Sequence, residues 1–509
     1  MLFTPLEQQA WDERVVLICK PEQSGKTFIM IQQIIKNMEE PTDGKTVINF
    51  IFCDNSLLLT KQTSERVKSE LISFTINDES YIEFSSRNDG VAKRDMAAVW
   101  MAITGPDEIR NVICCTNGKR VSDISTIIRD LNASPHTTDK FEFNIWLDEA
   151  DKFIPFIGKT FCPLTQYNNN VQLYFLTATP KILFDKYGDL NVFPLECTTS
   201  PNYHGWQDNH KIILENTSGT TEGFIHDVLT NIGRRVRAGS KWYIPASTKK
   251  ITHELVRDIL VGRGFAVFVV NGDGLALSIP GEGRICEKKT EELNKHMLHM
   301  YREKRVERFP VAVTGNICVG RGISIMSPDF IFDYGILSNC TKKAEASQNA
   351  GRLKGNMKDW PHYKPPTVIT TAKFDKVACE WEEKSRRLAT LAFEKQKNID
   401  STVISKPEFK GIGNEPQYIF DWCLFPDDNT ACGWIADSDD GLNHTMSKAS
   451  NLAPRTLRDN DGNNPTVESL INRKWGLGEN SWIRKIRTDT NEICVYWYRR
   501  RPCPLEYKN

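Results

Sequence analysis

The 509-residue sequence has no net charge, no CxxC pair, no apolar run of membrane-spanning length, and no short-period repeat or low-complexity tract. Each absence excludes a class. A membrane-crossing helix needs about 20 apolar residues in a row, and the opening MLFTPLEQQAWDERVV also lacks the basic start and apolar stretch of a secretory signal. The chain is therefore expected to be soluble and intracellular. Fourteen cysteines without a paired spacing exclude a disulfide-framed secreted domain and fit reduced thiols. Cys423 and Cys432 lie nine apart, as do Cys494 and Cys503, spacings too long for ordinary zinc ligand pairs, so buried thiols are expected there. The balance of 65 Lys+Arg against 65 Asp+Glu excludes a protein basic over its whole surface, but not one that grips phosphates in a local groove.

What is present is an ordinary globular composition, 40% hydrophobic and 26% charged, on a chain long enough for several cores. Short β-branched or aromatic runs at 15–19, 47–53, 112–115, 143–147 and 172–176 read as parallel strands, with helices expected at 27–37 and 61–74. The pattern restarts after a Pro, Ser, Asn and His-rich link at 197–209. Strands are expected at 241–244, 266–270, 311–313, 330–333 and 367–370, with helices at 224–238, 290–305 and 373–394. Beyond about residue 398 the helical periodicity stops and Gly, Asn, Asp and Trp become frequent. The expected organisation is one α/β lobe over 1–200, a second over 201–396 and a small β-rich module over 397–509.

Two local patterns carry chemistry. The segment KPEQSGKTF at 20–28 sits between an apolar strand and an amphipathic helix, the setting of a phosphate-binding P-loop. The backbone of Gln23, Ser24 and Gly25 can cradle phosphates, Lys26 can reach the β- and γ-phosphates, and the Thr27 hydroxyl can ligate Mg²⁺. The segment NIWLDEADKF at 144–153 ends an apolar strand in Asp148-Glu149-Ala150-Asp151. ATP hydrolysis needs one carboxylate for the metal and another for the attacking water, which Asp148 and Glu149 satisfy in turn.

These segments resemble the motifs of superfamily 2 helicases and translocases, in the order that family has them. Asp148-Glu149-Ala150-Asp151 is similar to motif II and Thr177-Ala178-Thr179 to motif III, which implies a coupling role for Thr177 and Thr179. Gln348-Asn349-Ala350-Gly351-Arg352 resembles motif VI, and Thr314-Gly315-Asn316 with Gly320–Ser324 resembles motif V. Weaker echoes lie at 53–62 for motif Ia and 116–120 for motif Ib, and Gln8 or Gln9 is placed as an adenine-reading glutamine. The resemblance covers about residues 1–395. It implies two tandem RecA-like lobes with parallel sheets, ATP and Mg²⁺ in the cleft between them, and a nucleic-acid strand across both, DNA favoured over RNA. It also implies nucleotide contacts from Gln348 and Gly322 and an arginine, Arg352, acting from the far lobe on the γ-phosphate, with Arg321 as a second candidate. Departures are Lys20 and Gln23 at loop positions usually held by glycine, Ser324 for a common aspartate, Thr314 two residues early, and Gly355 with Lys354 beside it where motif VI has its second arginine. Such Q-S-G-K-T loops look similar to divergent ATPases of phages and large DNA viruses, which implies a host cytoplasm, nucleus or virion as the setting. A packaging or remodelling ATPase without unwinding, and a nucleotide-binding component of a virion or transcription complex, are the alternative functions.

The tail interleaves nine basic residues (Arg473, Lys474, Arg484, Lys485, Arg487, Arg499, Arg500, Arg501, Lys508) with Trp475, Trp482, Trp497 and Tyr498. That mixture suits phosphate contact and base stacking, or equally a compact module whose aromatics fill its own core.

Overall fold

The computed structural model describes residues 14–40, 44–53, 63–64, 66–67, 81–84, 95–105, 109–133, 137, 140–195, 200–231, 236–247, 249–271, 274–287, 293–315, 325–338, 343–399, 401–412, 418–437, 464–473 and 483–500. It forms two units, 1–412 and 413–509.

The first unit holds two eight-stranded sheets. In chain order the first lobe contributes β1 (Val15–Cys19), β2 (Thr46–Cys53), β3 (Tyr81–Phe84), β4 (Asn111–Cys115), β5 (Phe141–Asp148), β6 (Val171–Thr177) and β7 (Leu190–Val192). The second contributes β8 (Tyr203–His204), β9 (His210–Ile213), β10 (Lys241–Tyr243), β11 (Ala266–Asn271), β12 (Gly274–Ile279), β13 (Gly283–Glu287), β14 (Val311–Gly315), β15 (Tyr334–Leu337), β16 (Gly355–Asn356) and β17 (Thr367–Thr370); β18 (Val403–Ile404) follows. The sheet orders are β18-β7-β1-β6-β5-β2-β4-β3 and β13-β12-β11-β14-β10-β15-β17-β9. Within these two sheets all pairings are parallel except β18 on β7 and the hairpin β11-β12-β13; β8 and β16 form a separate antiparallel pair. This is the expected α/β class of two tandem lobes.

Why the strands read as unbroken apolar runs is visible in the packing. Along β1, Val15, Leu17 and Cys19 join one core while Ile18 faces another. Along β11, Ala266, Phe268 and Val270 point to one core and Val267 and Val269 to its opposite. Each sheet is buried on both faces, so side chains alternate between two apolar layers rather than between core and water.

One helix belongs to both lobes. Ala372–Ile399 places Phe374, Val377 and Ala378 in the second lobe's core, then Leu388 and Ala392 in the first lobe's core. Between them Ser385 Oγ lies 3.2 Å from Cys19 Sγ at the end of β1. The chain then adds β18 to the edge of the first sheet and packs Phe409 against Phe184, ring centroids 4.1 Å apart.

Several sequence expectations are corrected. Residues 397–412 belong to the first lobe, so the tail module starts at 413 rather than 397. The strand expected at 330–333 lies at 334–337; Phe330 and Phe332 alternate like strand residues because both fill the second core from a turn. The helix expected to 238 is described only to Asn231. The link at 197–209 is packed where described, with Trp206 fully buried and β8 paired to β16.

The second unit is a three-stranded antiparallel sheet, β19 (Tyr418–Phe425), β20 (Ile483–Arg487) and β21 (Ile493–Arg500) in the order β19-β21-β20, with helices Asp428–Asp437 and Val467–Arg473.

Because Phe409 is 2% exposed and stacked in the first lobe's core, Phe409→Ala should destabilise the first unit by about 3–5 kcal/mol. The check is chemical denaturation of the variant. A midpoint unchanged from the parent would show residues 397–412 to be part of an independent tail.

Candidate functional site

The carboxyl ends of β1 and β5 meet at one edge of the first sheet, where the phosphate loop and the acidic residues follow their strands. Ligand sites of open α/β sheets form at such edges because the loops there are not buried by the layers. The loop turns twice through left-handed backbone, at Gln23 (φ 55) and Gly25 (φ 93). Glycine suits such positions, and Gln23 holds one of them at a steric cost of about 1 kcal/mol or more. Ser24 is buried, with its Oγ donating to Pro21 O at 2.7 Å; its side chain closes the loop instead of lining the site. Gly25 caps helix Lys26–Glu39, whose first-turn amides face the loop.

Lys26 is 9% exposed, and among the described residues its Nζ donates long bonds, to Lys20 O at 3.4 Å and Pro21 O at 3.3 Å. Asp148 and Glu149 stand at the end of β5, Glu149 in left-handed conformation (φ 59). Burial, and then the neighbouring Glu149 carboxylate, push the Asp148 carboxyl up to about 6. Thr177 Oγ1 donates to Asp151 Oδ1 at 2.9 Å and accepts from Thr179 N at 2.9 Å. This ties the end of β6 to the turn that carries Asp148 and Glu149.

The second lobe closes the site with Lys343–Ala350 and the turn after it. A cleft of about 520 Å³ is lined from the first lobe by Gln23, Gly25, Lys26, Thr27, Asp148 and Glu149, and from the second by Gln348 and Arg352. Phe28, Arg66, Met357 and Trp360 also line it. Arg352 is 4% exposed, and burial holds its guanidinium below its usual value. Gln348 Nε2 and Glu149 Oε2 are buried without a hydrogen-bond partner among the described residues. Buried polar atoms are normally paired, and these two orphans belong to residues that line one cleft. The donor set suits a nucleotide with a divalent cation: loop amides, an ammonium and a guanidinium for phosphates, a hydroxyl and a carboxylate for the metal.

The structure thus brings together Gln23, Gly25, Lys26, Thr27, Asp148, Glu149, Gln348 and Arg352, and sets Thr177 and Thr179 behind them. Gln8, Gln9, Asn316, Arg321, Gly322, Ser324 and most of 53–62 lie outside the described residues. Residues that local patterns did not single out are Glu22 and Glu382. Lys354 Nζ, on a fully buried side chain, lies 2.6 Å from Glu22 Oε2 and 3.1 Å from Glu382 Oε2. Ser347 Oγ also donates to Glu22.

In the tail, Lys485 is turned inward to Asp428 at 2.8 Å, its side chain 2% exposed, which removes it from the basic residues open to a phosphate. The side chains of Trp475, Trp482, Trp497 and Tyr498, with Lys474, Arg501, Lys508 and Cys503, lie outside the described ones. No helix among the described residues is long and apolar enough to cross a membrane.

No family model and no curated protein matches this sequence. Solved structures similar to it include the E. coli DExH-box NTPase HrpB, at 13% identity and TM-score 0.39, over 72% of this chain and 40% of that one. The present chain thus spans less than half of that protein's length. A DEAD box protein from Methanococcus jannaschii is 14% identical, with TM-score 0.35, over 77% and 88%. The DEAD-box helicase Mss116 bound to ssRNA and UDP-BeF is 13% identical, with TM-score 0.42, over 78% and 82%. At such identities and TM-scores the likeness assigns neither a residue's role nor an activity, and the functional case rests on the cleft.

Asp148 should cost the metal-free protein stability, because its folded pKa of about 6 lies above the ordinary 3.8. The folded state then binds more protons than the unfolded one between those values, so stability falls as pH rises through them. Asp148→Asn should therefore raise Tm in EDTA by a few degrees at pH 8, a gain that fades by about pH 4. Thermal melts across that range test it. An equal gain at both ends, or none at pH 8, would contradict the stated environment.

Proposed function

We propose that this chain is an ATP-hydrolysing nucleic-acid motor, a helicase or translocase that works by closing two lobes on a nucleotide. One observation carries the reading: a phosphate loop with its lysine, paired carboxylates at a strand end, and an arginine from the opposite lobe line a single cleft. Proteins that only bind nucleotide have no use for the last of these, whereas hydrolysis needs charge neutralised as the γ-phosphate departs.

The division of roles follows from position. Loop amides and Lys26 hold the β- and γ-phosphates. Thr27 and Asp148 would hold Mg²⁺, which when bound neutralises phosphate charge and fixes its geometry. Glu149, which lines the cleft and has one oxygen unpartnered among the described residues, orients the attacking water and takes its proton. Gln348 and Arg352 reach the nucleotide only when the lobes are together. Thr177, bonded to Asp151, ties the acidic turn to β6, so a shift at Glu149 has a route into the first sheet. The nucleic acid crosses both lobes outside the cleft. Nothing in the described residues favours DNA over RNA, so both belong in the assay. A viral or phage setting is read from the loop sequence alone. The packaging or remodelling alternative shares this site and differs only in whether strands separate.

Glu149→Gln should bind ATP and hydrolyse it at least about 100-fold more slowly, while Arg352→Ala should lower kcat far more than it weakens ATP binding. Lys26→Ala should abolish turnover. Steady-state kinetics beside ATP-binding titrations are the measurement. Normal turnover by Lys26→Ala, or equal loss of binding and rate in Arg352→Ala, would remove the corresponding role.

For the tail, removing residues 413–509 should weaken nucleic-acid binding and flatten its salt dependence, since each lost phosphate contact releases one counterion fewer. Basal ATPase should survive. Unchanged affinity and salt slope in a soluble truncated protein would rule out that role.

A further inference from the structure

The phosphate loop is held from the wrong side for a loop that belongs to one lobe alone. Glu22, four residues ahead of Lys26, lines the same cleft, and its carboxylate is bonded to the second lobe. There Lys354 Nζ binds it at 2.6 Å and Ser347 Oγ donates to it. The approach is close enough that a Cβ on Gly351 would sit 2.7 Å from Glu22 Cβ, so only glycine fits beside it. Lys354 itself is fully buried and shared with Glu382 at 3.1 Å. Glu382 lies midway along the helix Ala372–Ile399 and accepts from Trp206 N at 3.0 Å. A Cβ on Gly205 would stand 2.7 Å from Glu382 Oε1. Tyr203 Oη, from the same crossing segment, donates to Glu22 O at 3.1 Å.

A buried ammonium is costly unless fully paired, and here both partners are fixed by different elements: the loop of one lobe and the helix that enters both cores. Burial lowers and the two carboxylates raise the Lys354 ammonium, leaving it above its ordinary value; burial raises the Glu22 carboxyl, but Lys354 and Ser347 bring it below its own. The triad forms only when the lobes are together, since Glu22 lies on one and Lys354 on the other.

We propose that Lys354 is a positioning residue that holds the phosphate loop from the opposite lobe, so that the loop takes its hydrolysing shape only when the lobes close. This rests on the hydrolytic reading of the cleft. Lys354 lines the cleft, but its buried ammonium is taken up by Glu22 and Glu382; it acts through Glu22, and Glu382 anchors it to the bridging helix. It occupies the region where motif VI of the resembling family has a second arginine, yet it serves the loop rather than the phosphate.

The test is a double-mutant cycle on the full chain with Glu22→Gln, Lys354→Met and the pair. Each single change should lower kcat by about tenfold or more while the Kd for ATP shifts by less than about threefold, and the pair should be no worse than the poorer single variant. In parallel, dyes on bio-orthogonal amino acids at exposed positions 39 and 238 report interlobe energy transfer with and without Mg²⁺–AMP-PNP. Both single variants should populate the closed, high-transfer form less than the parent in each condition. If Lys354→Met does not fold, Glu22→Gln and Ser347→Ala carry the same comparison. Additive losses in kcat, equal losses in kcat and ATP affinity, or unaltered energy transfer would each overturn the proposal. A parent protein without ATPase activity would instead refute the hydrolytic reading, and the energy-transfer comparison would still decide whether the triad holds the lobes.

Discussion

The structure depends on one helix that cannot leave either lobe. Ala372–Ile399 has its first half in the second lobe's apolar core and its second half in the first lobe's, and β18 then completes the edge of the first sheet. Separating the lobes by rigid motion would expose Leu388 and Ala392 or Phe374 and Val377 to water, at about 1.5–3 kcal/mol for each large side chain. Opening is thereby confined to a pivot about this helix. The cleft is preorganised by the same constraint, since Gln348 and Arg352 are presented to the phosphate loop by a lobe that cannot drift away.

Sheets buried on both faces leave little room for polar chemistry inside, so the functional groups collect where strands end. Lys26 follows β1, Asp148 and Glu149 end β5, and Thr177 ends β6, three neighbouring strands of one sheet. Several local costs fall at the site. Gln23 and Glu149 are non-glycine residues in left-handed backbone, Asp148 is held as an unwilling anion, and Glu149 Oε2 and Gln348 Nε2 have no partner among the described residues. On the proposed reading, a bound phosphate chain with a cation would give the unpartnered and crowded polar groups among these their partners.

How much of this was legible in the sequence depends on how local the signal is. GKT between a strand and a helix, DEAD at a strand end and Q-x-x-G-R on a helix are short patterns whose physics lies within a few residues, and each falls on the cleft. The strand positions were legible too, because burial on both faces makes apolar runs. The Glu22–Lys354–Glu382 triad was not: its members are far apart in the chain, and each alone looks like an ordinary surface charge. The hairpin β12–β13, which extends the second sheet antiparallel, has no clear strand pattern in the sequence, since its alternation is interrupted by turn residues. β18 leaves no mark in the sequence because two residues carry no periodicity, so the sequence pattern places the tail boundary at 397 where the structure has it at 413. Phe330 and Phe332 misled in the opposite direction, their buried alternation arising in a turn.

The central claim is that nucleotide is hydrolysed in this cleft in response to nucleic acid. The most direct measurement is the steady-state ATPase rate of the full-length protein with Mg²⁺, alone and with single-stranded DNA, duplex DNA or RNA. The account predicts measurable basal turnover that at least one of these polymers raises by about tenfold or more, through tighter lobe closure. Absence of turnover in every condition, or a rate that no nucleic acid changes, would contradict it.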